Sequence, residues 1–346
     1  MEELTFRTLE TDAEVVRSRS GMRQRLLRAD QQRVLIADLS GSTESDDEYT
    51  RLNCEGFGRR RRFSKFSIHL RSRGSDGLAR PHYRGLPPVV PYETQVFQLA
   101  GCNWACWYCF VDDSLLDGRV DKGKFLTAAD LLDLYLEQED RPAVLDLSGG
   151  QPDIVPEWCL WMLEEVARRG LRDKVHVWID DNLSGRFMRT YLSSEQIRYM
   201  AEFPKHSRVG CFKGYDIESF RFNTGAQPSG FATQFSVMRD LIADGFDTYA
   251  YATFTGPVTS MMEKSVTEFV DRLQEIDPNL PLRTIPLEVR PYSAAVERVG
   301  NTRQEAFDFQ YDVVEAWEHE LALRFTHADL NLPYEEVALP STDHVS

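Results

Sequence analysis

"GCNWACWYCF", residues 101–110, places Cys102, Cys106 and Cys109 within eight residues of a chain that has six cysteines in all. Three thiolates at C-x3-C-x2-C spacing can wrap one face of a metal centre. A structural zinc takes four ligands, usually as two paired knuckles. No second pair exists here, and the nearest histidines, His82 and His176, lie far off in sequence. A [4Fe–4S] cluster is ordinarily held by four cysteines. Three would leave one iron open to a small molecule that binds it and receives an electron. The iron–sulfur reading is preferred over zinc and over a chance grouping of core cysteines. Cys54, Cys159 and Cys211 stand singly and are expected to be small buried hydrophobes.

The elements that must position these thiols follow an alternating plan. "ETQVFQLAG" reads as a strand leading into the cysteines, and "LTAADLLDLYLEQ" as a helix with Thr127 as N-cap. "AVLDLSGG" is a strand, and "PEWCLWMLEEVARRG" a helix closing on Gly170. The pairs "KVHVWIDDN" with "SSEQIRYMAEF", and "SRVGCFKGYD" with "FATQFSVMRDLIADG", continue the pattern. "DTYAYATFTGP" with "KSVTEFVDRLQEI", and "LPLRTIPLEVRPYS" with "RQEAFDFQYDVVEAWEHELALRF", complete six strand–helix units. Such alternation implies βαβ units and a parallel sheet. The expected fold class is α/β, a partial (β/α)6 barrel of the TIM type with an N-terminal extension. Chemistry in such folds sits at the C-terminal ends of the strands, where the cysteines fall.

Residues 1–90 are expected to form that extension, with a boundary at "LPPVVP"; residues 91–326 form the partial barrel and 327–346 a C-terminal tail. The N-terminus, "MEELTFRTLE", has neither a basic nor an apolar leader region, and no apolar run approaches the roughly 18 residues of a membrane span. A cytoplasmic location with reduced thiols and no membrane partner is therefore expected. The formal net charge of −15 argues against general nucleic-acid affinity. Residues 57–84 nevertheless hold nine Lys/Arg against one Asp. They read either as a basic strap on an acidic body or as a docking surface, at Arg59–Arg62, for an acidic protein or a phosphorylated substrate.

The cysteine stretch resembles the C-x3-C-x-aromatic-C motif of the radical S-adenosylmethionine (radical SAM) superfamily, with Tyr108 in the aromatic position. The resemblance implies a [4Fe–4S] cluster whose fourth iron is chelated by SAM. It also implies reductive cleavage of SAM to methionine and a 5′-deoxyadenosyl radical that abstracts hydrogen from a substrate. An external electron donor of flavodoxin or ferredoxin type would be needed. "LSGGQP" resembles the family's GGEP segment and covers Ser148, Gly149, Gly150, Gln151 and Pro152, with Gln151 in place of Glu. "WIDDNLSG" is similar to the DTNG segment of glycyl-radical-enzyme activases at Asp181 and Asn182. "CFKGYDIESFRFNTG" resembles the activase run in which a lysine, here Lys213, meets SAM. The resemblance spans roughly residues 90–300. It implies one cluster and a reaction nearest to the activases, on a protein or small molecule. The alternatives are a synthase acting on a phosphorylated or nucleotide-like molecule and, outside enzymes, an iron–sulfur electron carrier or sensor.

Overall fold

The computed structural model describes residues 21–47, 50–63, 92–332 and 334–339. Its strands are β1 (Leu27–Arg28), β2 (Arg33–Ala37), β3 (Thr50–Asn53), β4 (Gly58–Phe63), β5 (Tyr92–Phe97) and β6 (Gly123–Thr127), then β7 (Val144–Leu147), β8 (His176–Asp181), β9 (His206–Phe212), β10 (Thr248–Thr253) and β11 (Thr284–Leu287). The main sheet runs β11-β10-β9-β8-β7-β5-β4-β3. Its six strands from β5 to β11 are parallel, and they are the six expected. A short sheet, β1-β2-β6, packs beside it. β3 and β11 are the two ends of the main sheet, so the barrel is open.

Parallel strands need long crossovers, and helices supply them. Thr127 caps the helix Ala128–Leu136 in a reciprocal box with Asp130. Pro156–Arg168, Ser194–Ala201, Ser229–Ala243 and Met262–Gln274 follow β7, β8, β9 and β10. Their apolar stripes cover one sheet face, where Trp158, Leu163, Phe269 and Trp317 are fully buried. Burying one such side chain contributes on the order of 1.5–3 kcal/mol. At the floor of the other face, Trp178 stacks on Tyr249 at 5.5 Å, within an apolar cluster that includes Val209, Ile285 and Tyr334.

Several expectations need correcting. The N-terminal segment is woven into the sheet. β4 pairs antiparallel with β5 along its whole length, and β3 pairs with β4. β2 is tied to the exit of β5 by the bonds Ala37 N–H to Gln98 carbonyl and Ala100 N–H to Leu35 carbonyl. The "LPPVVP" boundary and most of the basic stretch lie outside the described residues. Arg59–Arg62 belongs to β4, a strand of the main sheet, and Arg59 is buried against Glu44 and Gln98. The C-terminal segment is folded as far as Leu339, with Tyr334, Val337 and Leu339 buried; residues 340–346 lie outside the described residues. A helix at Ile217–Thr224, unforeseen in the sequence, follows β9.

Candidate cofactor and active site

The cysteine loop leaves β5 and is held at its start by backbone pairing. Cys102 N–H donates to the Leu116 carbonyl at 2.9 Å, Gly118 N–H to Ala100 at 2.7 Å and Gln151 N–H to Gly101 at 2.8 Å. The loop's aromatic residues pin the rest. Trp104 sets its ring edge-on to Phe220. Trp107 is buried edge-on to Phe222 and Phe307, and its indole N–H donates to Asn223 Oδ1 at 3.0 Å. The Tyr108 hydroxyl lies 3.0 Å from Thr253 Oγ1, at the end of β10. Two tryptophans and a tyrosine therefore lie between the thiols to anchor the loop to three elements.

Around this loop one cavity opens at the C-terminal ends of the strands. It is lined by Cys102, Cys106, Cys109, Tyr108, Ser148, Gly149, Gly150, Gln151, Asp181, Asn182 and Lys213. Of the candidate metal- and cofactor-binding residues, all border it except Pro152, which opens the buried 3-10 turn Pro152–Ile154 behind the wall. Gly149 and Gly150 both have positive φ, 82° and 66°. A Cβ on Gly150 would lie 2.4 Å from the Leu99 carbonyl oxygen and 2.5 Å from that of Gly101. This glycine is thus required for packing beneath the cysteine loop as well as for its conformation.

Gln151 and Asp181 turn much of their polarity toward each other. Gln151 Nε2 donates to Asp181 Oδ1 at 2.7 Å, and Gln151 Oε1 accepts from the Asn182 N–H at 2.8 Å. Burial, then neighbouring Asp153, push the Asp181 carboxyl well above the usual carboxylate range, against the pull of Arg208. Asn182 reaches the cysteine loop, donating to Asn103 Oδ1 at 3.0 Å, with its Nδ2 3.7 Å from Cys102 Sγ. Burial tends to lower the pKa of Lys213, but Tyr108, Cys211 and Cys106 around it hold its ammonium well above the ordinary range.

Sequence reasoning missed several residues here. Cys211 is buried as expected, but it also lines the cavity, on β9. Asp180, Tyr251, Glu288 and Tyr292 line it too, as does Arg61 from the Arg59–Arg62 run already singled out in the sequence as a docking surface. Asp180 accepts from Ser148 Oγ at 2.6 Å and from the Trp178 indole at 3.0 Å. Beneath it, burial and then the Asp180 charge push the Asp146 carboxyl well up. Gln234 joins two strand exits, donating to the carbonyls of Cys211 at 2.8 Å and Asn182 at 3.2 Å. A signal for Gln234 existed: it is a lone amide between Phe231 and Phe235 on an apolar helix face.

The donor set suits an iron–sulfur cluster. Three thiols border one cavity, and a [4Fe–4S] cluster takes one thiolate per iron rather than several on one ion. Among the described residues, no group of three or more His, Cys, Asp or Glu side chains is placed to hold a metal ion. Burial, then Cys106, push the Cys109 thiol up to about 12, so it must shed a proton to bind metal.

No protein-family model matches this chain, and no curated protein matches it. Similar solved structures include Streptococcus suis SuiB bound to precursor peptide SuiA, with 16% identity, 52% of this chain and 36% of that chain covered, and a TM-score of 0.39. Native anSMEcpe with bound AdoMet shares 18% identity over 54% of this chain and 50% of that chain, with a TM-score of 0.38. TYW1 with a lysine–pyruvate adduct bound shares 9% identity over 68% and 86%, with a TM-score of 0.37. The chain thus spans about a third of SuiB and half of anSMEcpe. Among the described residues no helix is long and apolar enough to cross a membrane.

Proposed function

We propose that the chain is a radical SAM enzyme. The observation that carries this reading is the meeting of Cys102, Cys106, Cys109, the Ser148–Gln151 turn, Asn182 and Lys213 around one cavity at the strand ends. Cys102, Cys106 and Cys109 would hold a [4Fe–4S] cluster. When bound, the cluster and SAM supply a 5′-deoxyadenosyl radical able to take hydrogen from a substrate. The protein's part is to orient and to exclude water. The ammonium of Lys213 offers a charge-assisted bond to a carboxylate. Asn182 and Trp107 fix the loop that bears the thiols. Trp104, Phe110 and Tyr251 give the cavity apolar walls. An electron donor of flavodoxin or ferredoxin type completes the scheme.

For the substrate, activation of a glycyl-radical protein and chemistry on a small anionic molecule remain the two readings. Arg61 favours the second, because β4 turns it into the cavity rather than toward a partner on the surface. The test is anaerobic reconstitution with iron and sulfide, then dithionite and SAM. Binding of about four irons and release of 5′-deoxyadenosine support the proposal. A fully reduced, iron-loaded protein that neither binds nor cleaves SAM would make it an electron carrier or sensor instead. A stoichiometric, colourless zinc would remove both readings.

A further inference from the structure

The cysteine loop is gripped from a side that the sequence motifs do not mention. Arg298 reaches it from the C-terminal helix Ser293–Arg324. One guanidinium nitrogen donates to the Cys109 carbonyl at 2.9 Å and approaches that of Cys106 at 3.5 Å, while the other donates to Val111 at 2.7 Å. Its Nε lies 3.0 Å from Asp113 Oδ2. Asp113 is largely exposed, so that ion pair is screened and weak. The carbonyl contacts are a different matter. A planar fork with several fixed donors can span carbonyls that a lysine ammonium cannot.

The helix is shaped for this reach. It breaks at Gly300, whose φ of 53° and ψ of −178° lie outside helical values, so Ser293–Val299 forms a separate arm. Beyond the break, Arg303 donates to the Arg298 carbonyl and sets its guanidinium 5.6 Å from the centre of the Trp107 ring. Val299 and Phe307 share an apolar cluster with Trp107. The two sides of the break thus hold the loop together, one by its carbonyls and one by its indole.

We propose that Arg298 is a positioning residue for the cysteine loop, and that its fixed positive charge also sets the field at the thiols. The mechanical half stands on the geometry alone, and the electrostatic half rests on the proposed cluster. A cation beside the ligands favours the added electron, since cluster potential depends on nearby charge and hydrogen bonding.

The experiment compares wild type, Arg298→Gln and Arg298→Lys. In metal-free protein, iodoacetamide alkylation of Cys106 and Cys109, followed by mass spectrometry and divided by each variant's thiolate fraction from a pH series, reports opening of the loop apart from the change in charge. Losing charged hydrogen bonds should speed alkylation of Arg298→Gln about tenfold or more, with Arg298→Lys between the two. In reconstituted protein, redox titration should give a more negative potential for Arg298→Gln and a value near wild type for Arg298→Lys. Equal alkylation in all three would overturn the mechanical half. Faster alkylation at an unchanged potential would overturn the electrostatic half. If wild type takes up no iron, the enzyme reading and the electrostatic half fail together, while alkylation still decides the mechanical half. If Arg298→Gln does not fold, Arg298→Lys is decisive, because it retains the charge without the fork.

Discussion

The Gln151 carboxamide joins the exits of β7 and β8, giving a hydrogen to Asp181 Oδ1 at 2.7 Å and accepting one from the Asn182 N–H at 2.8 Å. An amide is the group that fits this place, because it both donates and accepts. A glutamate there, as in the resembled GGEP segment, would set a second carboxyl against Asp181, and one of the two would have to hold a proton. Gln151→Glu should therefore lower stability at pH 8 by about 1–3 kcal/mol. Acid protonates the new pair, so the deficit should shrink by pH 5. Thermal melts across that range check this, and a deficit independent of pH would contradict it.

The β4 strand carries a second prediction. Arg59 and Glu44 form a buried ion pair, each 2% exposed, and Gln98 completes it. Removing one partner leaves an uncompensated charge in the interior, at a cost of about 3–5 kcal/mol. Arg59→Gln should thus destabilise the whole sheet, whereas Arg60→Gln, at a half-buried site 3.7 Å from Glu93, should change little. Denaturant titration of the two variants separates them.

The same strand shows what the sequence could and could not convey. The six strand–helix units were legible because short strand-like runs alternate with longer helical segments, even though a strand such as β9 is buried at every position and shows no two-residue alternation. The three thiols, the glycine turn and Lys213 were legible because each follows a strand end. "GRRRRF" was not. A run of like charges has no alternation to mark a buried face, and the acids that meet it, Glu44, Asp146 and Asp180, come from three other segments. Cys211, Gln234 and Arg298 were hidden for the same reason. Their partners are set by sheet order and helix packing, which are non-local.

His206 gives a prediction in pH. The ring is buried, with Nδ1 2.9 Å from the Val177 carbonyl, and burial followed by the Arg208 charge lowers its pKa to about 3. An unfolded histidine titrates near 6.5. The folded protein therefore binds fewer protons between those values. The stability this gives is complete above about pH 6.5 and is lost as pH falls toward 3. His206→Asn should melt lower than wild type at pH 7.5, and the gap should narrow at pH 5. A gap that stays constant would place the histidine's effect in packing alone.

Gly150 should report on fold and loop together. Its φ of 66° is unfavourable for other residues, and an added Cβ would meet the carbonyl oxygens of Leu99 and Gly101. Gly150→Ala should lower the melting temperature and weaken iron retention in the same preparation, because those carbonyls begin the cysteine loop. Intact iron binding with only SAM affinity lost would show that the glycine serves the ligand and not the loop.

Lys213 should divide cofactor from cluster. Its backbone is fixed independently of its side chain: Asn223 Nδ2 donates to the Lys213 carbonyl at 2.9 Å, and the Lys213 N–H donates to Gln234 Oε1 at 3.3 Å. Lys213→Met keeps the apolar stem and removes only the ammonium, so the loop and its thiols should stay in place. Loss of one charge-assisted bond costs about 1.5–3 kcal/mol, or roughly one to two decades in affinity. Equilibrium binding of SAM to the reconstituted variant should weaken by that amount, with iron content and absorbance spectrum as in wild type. Cys102→Ala, Cys106→Ala and Cys109→Ala should instead lose the iron itself, whereas Cys54→Ala and Cys159→Ala should not. Undiminished SAM affinity in Lys213→Met would mean that the ammonium faces substrate and not cofactor.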